Sequence, residues 1–283
     1  MKRIDHLRDI ISRYGTLLVD VYGVLHDGGD IFPHATEAMR EARRQGATII
    51  ILTNSTDRAD VVAARLADRG FGPDCFNHVV SSGELTWRYL SALAPGSGNL
   101  PKLRLLENAP WPKWVEHLHN PIVDNAVDAD AVVAIRLIFN DDEGYARTGI
   151  AEELETAKEK RLPMIVADSD ETFPHHSSIK LGPGWLARRY REMGGPTIEF
   201  GKPYAPAYRE AMRLAGDPDP TSVLMIGDNL LTDIAGAKAA GLDSLLVIQH
   251  GVHASMSLEA VEAHSRTLGT TPDWVTPYLR WTA

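Results

Sequence analysis

The sequence predicts an α/β fold: a doubly wound parallel sheet, with a second α/β domain inserted into it. Three features carry that prediction. Five short β-branched runs are nearly continuously apolar, stretches of helical period separate them, and a Pro/Gly/Ser-rich segment in mid-chain interrupts the alternation.

The elements follow in order. The opening "MKRIDHLRDIISRYG" reads as a short amphipathic helix, because Asp5 and Asp9 interrupt what would be the apolar segment of a signal peptide. "TLLVDVY" (16–22), "ATIIILTN" (47–54), "HVVSSG" (78–83), "SVLMIGDN" (222–229) and "SLLVIQHG" (244–251) read as strands. Near-continuous apolar runs of this kind belong to parallel sheets covered on both faces. Helical periodicity spans 34–45, 57–69, 204–215 and 230–240, and Gly46, Gly70 and Gly241 stand where such helices would end. After "SSGELTWRYLSALA" comes the loop "PGSGNLPK", and a second α/β stretch runs over 103–195. The expected organisation is a core built from both ends of the chain, 1–83 and 199–283, around an inserted domain at 84–198.

Composition bounds the function. A chain of 283 residues can bury a large core as one big domain or two smaller ones. No apolar stretch approaches the roughly 18 residues of a membrane helix, so no membrane partner is expected. The single cysteine, Cys75, excludes an internal disulfide and any multi-cysteine metal site, which makes a reducing cytoplasm the default compartment. A net charge of −9 argues against nucleic acid as a partner but says little about small anions, which local groups bind.

In an open α/β sheet, functional residues gather at the carboxyl ends of the strands. Here the first strand ends at Asp20, and the second ends in "LTNS", where Thr53, Asn54 and Ser55 offer a hydroxyl and backbone N–H groups to an anion. The later run "TIEFGKPYAP" delivers Lys202, and "GDNLLTD" sets Asp228 at a strand end and Asp233 on the following turn.

These four segments, "DVYGVLHDG", "LTNS", "FGKP" and "GDNLLTD", resemble in order the four motifs of the haloacid dehalogenase-like (HAD) superfamily of phosphohydrolases. The likeness is greatest to class IIA, the group of the NagD nucleotidase and the 4-nitrophenyl phosphatases. "SSGE" and the tail "PDWVTPYLRW" are similar to one class IIA subgroup of uncertain substrate. Asp20 and Thr53 are too close in sequence to admit an inserted domain, whereas the segment from Thr53 to Lys202 has room for the α/β cap of class IIA.

The resemblance implies a Mg²⁺-dependent hydrolase of small phosphorylated metabolites in which Asp20 is the nucleophile and forms an aspartyl-phosphate. By the family pattern the metal site consists of Asp20, the backbone carbonyl of Tyr22 and Asp228, with Asp233 orienting water or Lys202. Lys202 and Thr53, with the amides of Asn54 and Ser55, would hold the phosphoryl oxygens. Homodimers are common in such proteins.

Tyr22 departs from the pattern. Most phosphatases of the superfamily carry there an Asp that serves as general acid and base, help typically worth about 10²–10⁴-fold. A phenol, with an ordinary pKa near 10, is a poor base at neutral pH. His26 or Asp27 could fold back over the site, the polar loop "SDETFPHHSSIK" with His175 and His176 could supply a group from the cap, or the leaving group could need no help. The 2-haloacid dehalogenases also carry tyrosine there, but their cap lies between the first two motifs. Carbon–halogen hydrolysis and a weakened, ligand-binding member are the alternatives.

Other features read as structural. "GPGWLA" (182–187) fits a dinucleotide-binding pattern but does not directly follow a strand, so it is expected to start a helix of the inserted domain. Trp111 and Trp114 are expected to pack, Cys75 to sit near a loop, and "EELETAKEKR" to form a solvated helix face.

Overall fold

The computed structural model of the chain describes residues 1–93, 100–175 and 178–282. In chain order the strands are β1 (Lys2–Arg3), β2 (Thr16–Val19), β3 (Thr48–Thr53), β4 (His78–Ser81), β5 (Leu103–Leu106), β6 (Ala131–Ala134), β7 (Met164–Val166), β8 (Thr172–His175), β9 (Ser178–Leu181), β10 (Thr197–Glu199), β11 (Val223–Gly227), β12 (Asp243–Val247) and β13 (Trp274–Thr276). The helices are α1 (Pro33–Arg44), α2 (Ala59–Asp68), α3 (Ser82–Ala92), α4 (Asp142–Ala146), α5 (Ile150–Glu159), α6 (Pro183–Glu192), α7 (Ala205–Leu214), α8 (Ala235–Ala239) and α9 (Leu258–Thr267).

The chain divides into two compact units. The first comprises Met1–Thr53, Ala59–Val80 and Lys202–Ala283; the second comprises Asn54–Arg58 and Ser81–Gly201.

A seven-stranded sheet runs through the first unit in the order β1-β13-β12-β11-β2-β3-β4, and its pairings from β1 to β3 are all parallel. β2 lies between β11 and β3 with all four residues buried, which is why its sequence is apolar on both faces. Leu17, Val19, Ile49 and Ile51 point to one face, where they meet Ala38, Met39 and Ala42 of α1 and Val62 and Leu66 of α2.

The second unit has its own parallel sheet, β10-β7-β6-β5, and an antiparallel hairpin of β8 and β9. The alternation along β6 fills two cores. Val132 and Ala134 pack with Leu154 of α5 and Leu186 and Tyr190 of α6, while Ala131 and Val133 pack with Leu90 and Trp114. Contrary to the sequence reading, "GPGWLA" directly follows a strand, β9, but its Gly182 and Pro183 open helix α6 as expected. Trp114 is buried, whereas Trp111 is 40% exposed. Among the described residues no helix is long and apolar enough to cross a membrane.

Two further elements differ from the sequence reading. The opening segment is not a helix: Lys2–Arg3 pairs with β13, and two 3₁₀ turns follow at Leu7–Asp9 and Ile11–Arg13. The amide of Lys2 donates to Asp273 O and that of Leu7 to Arg280 O, so the last strand and the tail take donors that a helix would need. Tight turns still bury Leu7, Ile10, Ile11 and Tyr14, which is the periodicity that suggested a helix. The helix expected over 230–240 begins instead as a π turn, Leu230–Ile234, before α8.

Candidate active site

The register of the first sheet places the acids. Val19 lies beside Ile226 of β11 and Ile51 of β3, and the Asp20 amide continues the ladder by donating to Ile226 O at 2.9 Å. Asp20 and Asp228 therefore leave adjacent strands at the same carboxyl edge. Beyond Asp20 the chain turns at once: Leu25 N donates to Val21 O and Gly23 N to His26 O.

Lys202 arrives differently from the sequence expectation. The strand before it, β10, belongs to the sheet of the second unit, and the chain re-enters the first unit between Gly201 and Lys202. Lys202 thus stands on the turn that leads into α7, not on a strand end of the main sheet.

The four residues form one buried cluster. Lys202 Nζ lies 2.6 Å from Asp20 Oδ1 and 2.6 Å from Asp233 Oδ1. The other Asp233 oxygen accepts the amides of Asp228 at 3.2 Å and Asn229 at 3.1 Å, and Asp228 Oδ2 accepts the amide of Val252 at 2.8 Å. Tyr208 is fully buried beneath, and its hydroxyl donates to the backbone oxygens of Thr232 and Asp233.

Close packing of this cluster demands glycine. A Cβ on Gly251 would fall 1.9 Å from Asp228 Oδ2, and one on Gly227 would fall 2.2 Å from Asp233 Cγ. Gly23 has φ +75, and a Cβ there would lie 2.4 Å from Asp228 Oδ2.

Asp20, Asp228 and Asp233 can each bring a carboxylate oxygen to within 4.8 Å of the others, and all three are buried. Such an all-oxygen set suits a hard divalent cation. The charge balance agrees: three buried carboxylates are gathered round one ammonium. Burial pushes Asp228 well above its ordinary range, and Asp20 and Asp233 add to the rise. Burial likewise raises Asp233 to about 6 against the pull of Lys202. Burial alone would lower the Lys202 ammonium, but Asp20 and Asp233 outweigh it and hold its pKa above the ordinary value. A cation would offset the burial, and the neighbouring negative charge, that make these acids resist ionisation.

The other sequence-predicted residues are placed as follows. Thr53 closes β3 in the first unit. Asn54 and Ser55 fall in the second unit, where Asn54 Nδ2 donates to Asp170 Oδ1 at 3.0 Å and Ser55 O accepts the Gly83 amide at 2.9 Å. Tyr22 is half-buried, and burial followed by Asp27 and Asp228 raises its phenol above the ordinary value. His26 Nδ1 accepts the Gly28 amide at 2.9 Å, and burial lowers its pKa, with Arg69 adding to the effect. Asp27 lies 4.0 Å from His250 Nδ1. The backbone of His175 closes β8, and His176 lies outside the described residues.

Sequence reasoning missed Tyr208 and the Gly251–Val252 turn that fastens Asp228. The only signal for the latter was the glycine in "QHGV" just past a strand.

A parallel α/β sheet with three buried acids and a lysine gathered past its carboxyl edge offers an all-oxygen cation site beside a fixed positive charge, an arrangement suited to a phosphorylated group. Comparison with known proteins identifies the class. The family described as haloacid dehalogenase-like hydrolase matches residues 17–100, and the one described as HAD-hydrolase-like matches 199–281. Chronophin from Homo sapiens is 26% identical over 248 residues, covering 86% of this chain and 83% of its own. A haloacid dehalogenase-like hydrolase from Brucella suis superposes with a TM-score of 0.76 at 28% identity, covering 98% of this chain and 99% of that one. A glycerol phosphate phosphatase from Mycobacterium tuberculosis, solved in complex with calcium, gives a TM-score of 0.60 at 29% identity, covering 86% and 68%. The chain belongs to the haloacid dehalogenase-like hydrolases and is an enzyme of the phosphatase type.

Proposed function

We propose that the protein is a Mg²⁺-dependent phosphohydrolase that moves the phosphoryl group of a small monoester first to Asp20 and then to water. The observation that supports this most is the buried cluster of Asp20, Asp228 and Asp233, with Lys202 bridging two of its members.

Asp20 and Asp228 would hold the ion, together with the backbone carbonyl of Tyr22. Bound there, Mg²⁺ supplies positive charge to the nucleophile and the phosphoryl oxygens. The Asp20 carboxylate forms a bond to phosphorus as the ester oxygen–phosphorus bond breaks, and the departing alkoxide takes up a proton from solvent. Water then attacks phosphorus and gives up its proton to solvent as the Asp20 oxygen–phosphorus bond breaks, which releases inorganic phosphate and restores the Asp20 carboxylate. Lys202 carries its proton throughout, held by two carboxylates, and with Thr53 and the amides of Asn54 and Ser55 it steadies the phosphoryl oxygens. Asp233 keeps Lys202 in place and ties it to the turn that carries Asp228.

Tyr22 keeps its phenolic proton at neutral pH, so it can donate a hydrogen bond but cannot act as base. His26 is engaged at Nδ1 by the Gly28 amide, which restrains it from swinging over the acids. The inserted region, 84–198, would select among sugar phosphates, nucleotides and related metabolites. The relative named as a glycerol phosphate phosphatase supports a small monoester.

Hydrolysis of 4-nitrophenyl phosphate tests the reading. Turnover should require Mg²⁺, stop with EDTA and vanish in Asp20→Asn, after which a panel of phosphorylated metabolites would identify the substrate. Undiminished turnover in EDTA would overturn it, and halide release from a 2-haloacid under the same conditions would favour carbon–halogen hydrolysis.

A further inference from the structure

The loop Asn54–Arg58 follows strand β3 of the first unit and precedes helix α2 of the same unit, yet its contacts assign it to the second. Residue by residue, second-unit groups hold it. Asn54 Nδ2 donates to Asp170 Oδ1, Gly83 N donates to Ser55 O, and Trp114 Nε1 donates to Thr56 O at 2.7 Å. The Ser81 hydroxyl donates to Asp57 O at 2.7 Å, and Arg58 pairs with Glu84.

This accounts for "SSGE", the segment after β4 that the catalytic reading leaves without a purpose. Ser81, Gly83 and Glu84 each take one position of the loop. A Cβ on Gly83 would fall 2.0 Å from Thr56 O and 2.7 Å from Asp57 O, so only glycine lets α3 approach so closely.

One further group binds the loop through its side chains. Arg136 stands two residues past β6, at the carboxyl edge of the second sheet. Its Nε donates to Thr56 Oγ1 at 3.1 Å, its Nη2 to Asp57 Oδ1 at 2.7 Å, and its Nη1 to Pro110 O at 3.0 Å. All three guanidinium nitrogens are used, in a planar fork that a lysine ammonium cannot reproduce.

We propose that Arg136 is a positioning residue for phosphoryl transfer: by fixing Thr56 and Asp57 it sets the backbone of Asn54 and Ser55, whose amides receive the phosphoryl oxygens. This rests on the phosphatase reading above. The guanidinium of Arg136 acts through Thr56 and Asp57, the loop groups to which it donates. Its removal leaves the carboxylate cluster intact and lets the loop drift, and a shift of about 1 Å can cost a reaction on the order of 10²-fold.

The test uses the full chain with Arg136→Ala, Arg136→Lys and Asp20→Asn, each checked for native circular dichroism. In both Arg136 variants kcat/KM for 4-nitrophenyl phosphate should fall about 10- to 100-fold. Inhibition by orthophosphate should weaken by a similar factor, while the Mg²⁺ concentration for half-maximal activity stays at the parent value. Guanidinium ion added to Arg136→Ala should restore part of the rate. Should the alanine variant fail to fold, the lysine variant, which keeps the charge, decides. Parent-like orthophosphate inhibition in a folded Arg136 variant, with Asp20→Asn inactive, would overturn the positioning role alone. Undiminished hydrolysis by Asp20→Asn would overturn the phosphatase reading and the positioning role with it.

Discussion

Lys202 and Asp233 form an ion pair at 2.6 Å in a place where neither meets water: the residues are 2% and 0% exposed. The second Asp233 oxygen holds the amides of Asp228 and Asn229. One side chain therefore links the lysine to the turn that presents Asp228, and charge and backbone position are fixed together.

Asp233→Asn tests that double duty. The amide oxygen can still accept the two backbone N–H groups, but the buried ammonium loses one of its two counter-charges. Breaking a buried pair in this way is expected to cost about 3 kcal/mol in a urea titration. Activity on 4-nitrophenyl phosphate should fall more steeply than stability, because Lys202 is also proposed to hold the phosphoryl oxygens. Parent-like stability would show that Asp20 alone satisfies the lysine.

Gly251→Ala probes the same acid from the other side. The new methyl group would come 1.9 Å from Asp228 Oδ2, and the Val252 amide that fastens this oxygen is the next one along the chain. The carboxylate must move, so the Mg²⁺ concentration for half-maximal activity should rise at least about tenfold, which a shift of only about 1.4 kcal/mol in metal binding would produce. Circular dichroism should stay native, since this turn lies outside the strands.

These two positions mark how far the sequence could be read. Asp20 and Asp228 were legible because a buried parallel strand that ends in a carboxylate places it at the sheet's functional edge. Lys202 was legible only through "FGKP", and its supposed strand belongs to the other sheet, because β10 and β7 pair across a long separation that no local pattern reports. Gly251 looked like a strand end, and nothing near it in the chain signals an acid more than twenty residues earlier. Arg136 sits in an apolar run, "DAVVAIRLIF", and its partners Thr56 and Asp57 lie 80 and 79 residues away. The opening segment misled because 3₁₀ turns and a helix bury nearly the same spacing of apolar residues.

Tyr22→Asp addresses the acid–base step. The phenol is half-buried with its pKa raised, so the native residue cannot take a proton from water at neutral pH. A carboxyl group near the Asp20 turn could give and take one. For substrates with poor leaving groups, kcat should rise by about 10²-fold or more, the range general acid–base help supplies. For 4-nitrophenyl phosphate, whose leaving group is already acidic, the gain should be much smaller. Equal rates of parent and variant on an alkyl phosphate would mean that another group already fills the role.

His253 gives the fold a pH dependence separate from catalysis. It is 4% exposed, its Nε2 is buried without a hydrogen-bond partner, and burial, with His264 beside it, pushes its pKa down to about 4. Its unfolded value is near 6.5, so between these limits the unfolded chain binds the proton more readily than the folded one. This contribution to stability is fully present above pH 6.5 and is lost as pH falls toward 4. The loss is about 3 kcal/mol. His253→Phe keeps an aromatic ring in the pocket and removes the titration. Urea titrations at a series of pH values should show a shallower acid decline for the variant than for the parent. Parallel curves would mean that His253 takes its proton in the folded state as easily as in the unfolded one.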